Sequence, residues 1–146
     1  MNREIKFRGK MIPENEWIFG TILRIPTPPV CFGKSETDKY YIQFPDPSYI
    51  PDWNMPYRMV QGEVNPDTIG QFTGLYDKNK VPIYEGDILK IKGEDYKYIV
   101  DFYNGCFVCV DKFDEHYEHG KLLGDVPTFF MEVIGNIYEN SDLLGE

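Results

Sequence analysis

Short runs in which apolar and polar residues alternate, or in which aromatic and β-branched residues cluster, recur along the whole chain. Such runs predict β-strands, because successive side chains of a strand point to opposite faces of the sheet. No stretch of the sequence has convincing helical amphipathic periodicity, so we predict a mainly-β protein of eight or nine short segments with little helix. The clearest segments are residues 5–7, 17–25, 39–44, 88–91, 96–103, 106–110 and 129–138.

The sequence Asn104-Gly105 lies between two of these runs and predicts a two-residue β-hairpin. Both residues tolerate the positive φ angles of a type I′ turn, whose twist matches that of the flanking strands. Closure at this point also fixes the register of the two strands. The predicted pairs are Tyr98 with Asp111, Ile99 with Val110, Val100 with Cys109, Asp101 with Val108, Phe102 with Phe107, and Tyr103 with Cys106.

The composition supports small sheets joined by many turns. The 146 residues include 11 Tyr, 10 Phe, 11 Pro and 13 Gly but no Ala, a mixture that favours pleated sheet over a helical bundle. We divide the chain at residue 62. Residues 1–62 are predicted to form N-terminal strands followed by a Pro-rich aromatic loop region, and residues 63–146 a small SH3-like barrel or strongly curved sheet.

Charge is distributed unevenly along this chain of net charge −9. Residues 1–62 carry 8 Lys/Arg against 7 Asp/Glu, whereas residues 63–146 carry 7 Lys against 17 Asp/Glu. The acidic part disfavours binding to a phosphate backbone. Lys6, Arg8 and Lys10 fall on one face of the first strand, and we interpret them as a solvated strand face. The alternative is a nucleic-acid-binding patch on this basic N-terminal strand.

A loop-rich stretch from Pro45 to Pro66 is unusually aromatic for a connecting segment. A long irregular segment of this kind either wraps the core of its own domain or offers an adhesive surface to a partner. Aromatic residues and Met are enriched in interface cores. Our candidate contact residues are Tyr49, Trp53, Met55 and Tyr57, and the sequence leaves both roles open for them.

The chain contains Cys31, Cys106 and Cys109, an odd number that makes a disulfide framework unlikely in a chain without an export signal. Cys106 and Cys109 are followed by His116 and His119. This spacing is compatible with a Cys₂His₂ zinc site. The predicted hairpin argues against it, because two residues three apart in a strand face opposite ways. We therefore predict no metal and no cofactor.

None of the common catalytic or phosphate-binding motifs occurs in the sequence. Glu85-Gly86-Asp87 is interpreted as a turn into a strand rather than as an acid–base pair. No apolar run approaches the ~20 residues of a membrane span, and the first residues lack the apolar core of a signal peptide. We expect a cytoplasmic protein that is not an enzyme and does not associate with membranes.

Five blocks of the sequence resemble the YopX family of phage and prophage proteins. They are Arg3–Arg8, Asn65–Ile69, Gly70–Asn79, Ile83–Leu89 and Glu132–Asn140, and they occur in this order from one end of the chain to the other. The resemblance does not extend to residues 27–59 or 116–128.

The resemblance implies a small, mainly-β protein of temperate phages that forms homo-oligomers and has no assigned catalytic residues. We therefore expect a phage or prophage accessory protein that binds itself and a host or phage protein. Nucleic acid is the less favoured partner.

Overall fold

The structure is a computed structural model that describes residues 2–28, 37–114 and 116–145. Cys31 lies outside the described residues. The chain divides into two compact units. The N-terminal unit comprises residues 5–70, and the C-terminal unit comprises residues 1–4 together with residues 71–146.

Strands make up most of the regular structure in the described part of the chain, which confirms the mainly-β prediction. The strands are β1 (Phe7–Lys10), β2 (Trp17–Ile25), β3 (Lys39–Pro45), β4 (Met59–Val64), β5 (Gly70–Tyr76), β6 (Pro82–Tyr84), β7 (Asp87–Ile91), β8 (Lys97–Tyr103), β9 (Cys106–Asp111), β10 (Lys121–Leu122) and β11 (Met131–Asn136). Among the described residues, 3₁₀ turns cover Pro66–Thr68, Leu123–Asp125, Thr128–Phe130 and Ser141–Leu144. No helix among the described residues is long and apolar enough to cross a membrane.

The N-terminal unit is built on an antiparallel sheet with the strand order β4-β3-β2-β1. Strand β2 occupies the residues predicted for it, and its partner β3 contributes Ile42, which is fully buried. Strand β4 corrects the prediction of a loop as far as Pro66. It pairs with β3 along its whole length, from Tyr40 opposite Val64 to Pro45 opposite Met59. In the sequence, the alternation of Val60, Gly62 and Val64 is the signal that indicates this strand.

The interpretation of Lys6, Arg8 and Lys10 as a solvated face is wrong for two of the three residues. Arg8 and Lys10 are each only 7% exposed. Strand β1 pairs with β2 so that Trp17 lies opposite Lys10, and the Trp17 ring is 4.7 Å from the Arg8 guanidinium carbon and 5.3 Å from Lys10 Nζ. The aliphatic stems and the cation–π contacts of the two side chains allow this burial.

The C-terminal unit contains a five-stranded antiparallel sheet with the order β10-β9-β8-β7-β11, and β5 pairs with β6. Between the described strands the sheet stays open at β10 and β11, so it is a curved sheet rather than the closed barrel that we considered. Its core is a cluster of side chains from the sheet and the segments around it: Ile83, Leu89, Ile91, Tyr98, Val100, Cys109, Leu123 and Met131.

The hairpin of β8 and β9 has the predicted turn and the predicted register at all six pairs. Asn104 and Gly105 have φ angles of 49° and 84°, as a type I′ turn requires. The register of β11 against β7 shifts between Val133 and Gly135, which marks a β-bulge. Such a bulge bends the strand that carries it.

Candidate functional site

The aromatic segment of the N-terminal unit is a loop of residues 46–58 between β3 and β4, and its base is closed by Asp46 and Arg58. The Asp46 N–H donates to the Arg58 carbonyl at 2.7 Å, and the Arg58 side chain donates to the Asp46 carboxylate. Asp46 Oδ1 also accepts the N–H and the hydroxyl of Ser48, at 2.9 and 2.7 Å. The hydrogen bond from the Ser48 hydroxyl and that from Arg58 lower the pKa of Asp46 to about 2.

The far end of this loop is closed by Asp52. Its Oδ1 accepts the N–H of Asn54 at 2.8 Å and the N–H of Met55 at 2.7 Å, as in an Asx turn. Tyr49 braces the loop from inside, because its hydroxyl donates to the Met55 carbonyl at 3.0 Å and its ring lies 5.3 Å from the guanidinium carbon of Arg58. Loop 46–58 therefore has a defined backbone.

The four predicted contact residues lie on this loop but do not share one environment. Trp53 is 90% exposed, Tyr57 64% and Met55 53%, and the neighbouring Ile50 is 86% exposed. Tyr49 is half-buried and stabilises the loop through its hydrogen bond to the Met55 carbonyl. The exposed side chains do not cover the core of the chain, and they offer an apolar surface on an ordered backbone. Ile50 was not among the predicted contact residues, although it belongs to the same segment.

A second feature, which sequence reasoning missed, is an open groove of about 770 Å³ in the C-terminal unit. Its aromatic lining consists of Tyr96, Tyr98 and Phe113. Tyr98 is buried, whereas Tyr96 is 65% exposed and Phe113 71%. The predicted hairpin register already placed Asp111, another lining residue, opposite Tyr98. The loop that follows Asp111 completes the groove, and nothing in the strand pattern indicated its path.

One side of the groove holds an ion pair. The Lys121 ammonium contacts the Glu94 carboxylate, which also accepts a hydrogen bond from the Tyr98 hydroxyl. The hydrogen bond from Lys121, followed by that from Tyr98, lowers the pKa of Glu94. Burial raises the pKa of Tyr98, and the bond to Glu94 adds to this effect. Lys121 Nζ lies 5.2 Å from the centre of the Tyr98 ring.

The loop after β9 also lines the groove, and it is organised around two carboxylates. Asp111 Oδ1 accepts the N–H of Phe113 at 3.0 Å. Asp114 accepts the N–H groups of Glu118 and His119 at 2.9 and 2.7 Å. These bonds hold half-buried carboxylates against the groove, and the side chains of Glu118 and His119 line it.

Cys106 and Cys109 are held on opposite faces of β9. Cys109 is fully buried in the core of the C-terminal unit, and burial raises the pKa of its thiol to about 11. The half-buried Cys106 sulfur lies 3.3 Å from the Tyr103 carbonyl oxygen at the hairpin end. This geometry prevents the two sulfurs from sharing one ion. Within the part of the chain that the structure describes, no three His, Cys, Asp or Glu residues are grouped as metal ligands.

The comparisons with known proteins identify the family. The family model described as "YopX protein" matches residues 6–145, so the chain belongs to the YopX family. The chain is also similar to a solved structure, the crystal structure of protein EF1440 from Enterococcus faecalis. The identity is 26%, the match covers 98% of this chain and 99% of the other, and the TM-score is 0.48. No curated protein matches the chain.

Proposed function

We propose that this chain is a non-catalytic phage or prophage accessory protein that works in the cytoplasm by binding proteins, including copies of itself, through loop 46–58. The observation that carries the proposal is Trp53, which an ordered loop holds at 90% exposure, with Ile50 of the same loop 86% exposed. Trp and Tyr are the residue types most often found at the energetic centres of protein interfaces.

The physical support lies in the combination of exposure and order. Water contacts the large apolar side chains of Ile50, Trp53 and Tyr57, and a partner that covers them gains the free energy of removing that surface from water. Asp46 and Asp52 hold the loop backbone before any partner arrives. Association therefore costs less conformational entropy than it would with an unstructured segment.

The phage setting and the self-association rest on the family to which the chain belongs and on the properties that the resemblance implies for its members. The alternative of nucleic-acid binding through the basic first strand has less support. Arg8 and Lys10 are buried against Trp17 and present little of their charge to a phosphate backbone.

The first experiment measures the oligomeric state of the full chain by sedimentation velocity over a range of concentrations. We expect the wild type to associate and the double variant Trp53→Ala with Tyr57→Ala to dissociate. Loss of an interface Trp typically weakens association about thirtyfold or more. At a concentration low enough for the wild type to be monomeric, the variant should unfold at the temperature of the wild type, because neither side chain packs in the core.

Phe129→Ala is the matched control for this experiment, since Phe129 is 66% exposed but lies in the C-terminal unit. A wild type that stays monomeric throughout would contradict the self-association. A double variant that unfolds at a clearly lower temperature than the wild type when both are monomeric would contradict the interface role, because it would assign the two residues to the core.

Capture of partners from host lysate, with and without nuclease, tests binding to another protein. We expect one protein to be enriched by the wild type in both conditions and to be lost with the Trp53→Ala variant. Enrichment that disappears with nuclease would favour the nucleic-acid alternative instead.

A further inference from the structure

We infer that the groove of the C-terminal unit is a second binding site, and that it takes an arginine side chain presented by a partner polypeptide. The lining of the groove combines aromatic rings with carboxylates. This pairing fits a guanidinium group, which stacks on aromatic faces and forms forked hydrogen bonds to carboxylates. The site is separate from loop 46–58 and does not rest on the function proposed for that loop.

Charge complementarity gives the first argument. Three carboxylates line the groove, those of Asp111, Asp114 and Glu118, and Glu94 lies next to it. Among the described residues that line the groove, the one ammonium group is that of Lys121, and His116 and His119 count as neutral at pH 7. The ammonium of Lys121 is paired with Glu94, and that of Lys112 donates to the Gly145 carbonyl. The surplus is negative, so a cationic occupant is favoured over an anionic or neutral one.

The rings of the groove give the second argument, because they already attract cations of the chain itself. Lys121 Nζ lies 5.2 Å from the centre of the Tyr98 ring, and Lys112 Nζ lies 5.5 Å from that of Phe113. Phe113 and Tyr96 remain largely exposed, so ring surface is still accessible to a further cation. A desolvated cation–π contact is stronger than an exposed one, and entry into the groove supplies that desolvation.

The size and preorganisation of the groove argue for a polypeptide. Its volume of about 770 Å³ exceeds the needs of one side chain and falls within the range of sites that enclose drug-sized ligands. The carboxylates of Asp111 and Asp114 accept hydrogen bonds from backbone N–H groups, which fix their positions. Binding of a cation therefore requires little rearrangement of these carboxylates. An arginine together with its neighbouring residues would fill this space better than a free cation.

The test is an NMR titration of the ¹⁵N-labelled full chain with three probes. The first is an end-blocked heptapeptide with one arginine among glycines and serines. The second replaces the arginine with citrulline, which keeps the shape and removes the charge. The third is N-acetyl-arginine amide. We expect the arginine peptide to shift the amides of residues 96–98 and 111–121 and to bind at least about tenfold more tightly than the citrulline peptide.

Two variants and two matched controls locate the site. Phe113→Ala removes an exposed ring. Glu118→Gln removes a charge and keeps the hydrogen bond from the backbone N–H of residue 118 to Asp114. We expect each to weaken binding of the arginine peptide about threefold to tenfold. Phe129→Ala and Asp125→Asn make the same chemical changes at exposed positions outside the groove and should bind as the wild type does.

Three results would overturn the inference. Equal binding of the arginine and citrulline peptides would remove the role of charge. Equal binding of the peptide and N-acetyl-arginine amide would assign the groove to small cations rather than to a polypeptide. Shifts spread over the acidic surface, unaffected by Glu118→Gln, would indicate nonspecific attraction. If Phe113→Ala disturbs the loop, Glu118→Gln alone decides, since it keeps the loop hydrogen bonds.

Discussion

At the residue scale, Gly86 combines a positive φ with a close neighbour. Its φ is +86°, its N–H donates to the Val100 carbonyl at 2.8 Å, and its carbonyl accepts the Ile137 N–H at 2.9 Å. A Cβ atom at this position would lie 2.9 Å from Cε2 of the Tyr138 ring. The backbone is thus held from both sides in a conformation that only glycine adopts without cost.

Substitution of Gly86 by Ala is expected to lower the free energy of unfolding by about 2–3 kcal/mol, the sum of backbone strain and overpacking. Gly105→Ala is the matched control, because Gly105 has a φ of +84° but no atom within 4 Å of an added Cβ. Its cost should be only the strain, about 1 kcal/mol. Urea unfolding of both variants measures the difference, and equal losses would mean that the Tyr138 ring moves aside freely.

Asp46 gives loop 46–58 a dependence on pH. Its pKa in the folded chain is about 2, below the ordinary value for an aspartic acid in an unfolded chain. A lowered pKa means that the ionised carboxylate stabilises the loop above the unfolded value and that this stabilisation is lost as the pH falls through the folded value. The relevant window therefore lies between about pH 4 and about pH 2.

In an NMR titration of the folded chain, we expect the amide of Ser48 to shift with a midpoint near pH 2 as the Asp46 carboxylate takes up a proton. The Asp46→Asn variant should lack this transition while retaining those of the other carboxyl groups. The amide of Gly105, in a distant part of the sequence, serves as the internal reference. Titration of Asp46 near its ordinary pKa would show that the Ser48 and Arg58 hydrogen bonds do not persist in solution.

At the element scale, the pairing of β2 with β3 depends on a glycine. A Cβ atom on Gly20 would lie 2.1 Å from the Gln43 carbonyl oxygen, which belongs to the backbone of the neighbouring strand. A Cβ atom on Gly62 in β4 would also meet neighbours, Met11 Sδ at 2.8 Å and Ile18 Cδ1 at 2.9 Å. The second pair consists of the ends of flexible side chains, which can rotate away.

We expect Gly20→Ala to lower the free energy of unfolding by about 2 kcal/mol or more, because β3 has to move as a whole. Gly62→Ala should cost less than about 1 kcal/mol, since only side chains adjust. Hydrogen exchange of the β2 and β3 amides reports where each effect is felt. Comparable losses in the two variants would show that the strands of this sheet separate as easily as side chains rotate.

At the scale of the whole molecule, the net charge of −9 opposes any association between copies. The two proposed sites should therefore respond to salt in opposite ways. Self-association through the apolar side chains of loop 46–58 should strengthen from about 50 mM to about 500 mM NaCl, because salt screens the repulsion. Binding of the arginine peptide in the groove should weaken over the same range.

Sedimentation velocity measures the first response and peptide titration the second, with the same protein sample in the same buffers. Self-association that weakens with salt would point to an interface made of charged pairs rather than of Trp53 and its neighbours. Peptide binding that is independent of salt would leave the carboxylates of the groove without a role.

Local chemistry explains which parts of the fold could be predicted. The hairpin at Asn104-Gly105 follows from two residues that tolerate positive φ, and the turn then determines every pair of β8 with β9. Strand β2 is likewise visible within a few residues of sequence. Strand β4 could also be predicted from its own residues. The prolines and aromatic residues before it favour a loop, and the whole segment was therefore predicted as a loop.

The sequence by itself determined the mainly-β class, the hairpin register and the resemblance to the YopX family, because each depends on neighbouring residues. Tertiary structure decided that Trp53 is exposed while Arg8 and Lys10 are buried, and that Tyr98, Asp111 and Phe113 line one groove. These properties depend on residues that meet only after the chain has folded. Burial is a property of the surroundings of a side chain, and hydrophobicity alone does not specify those surroundings.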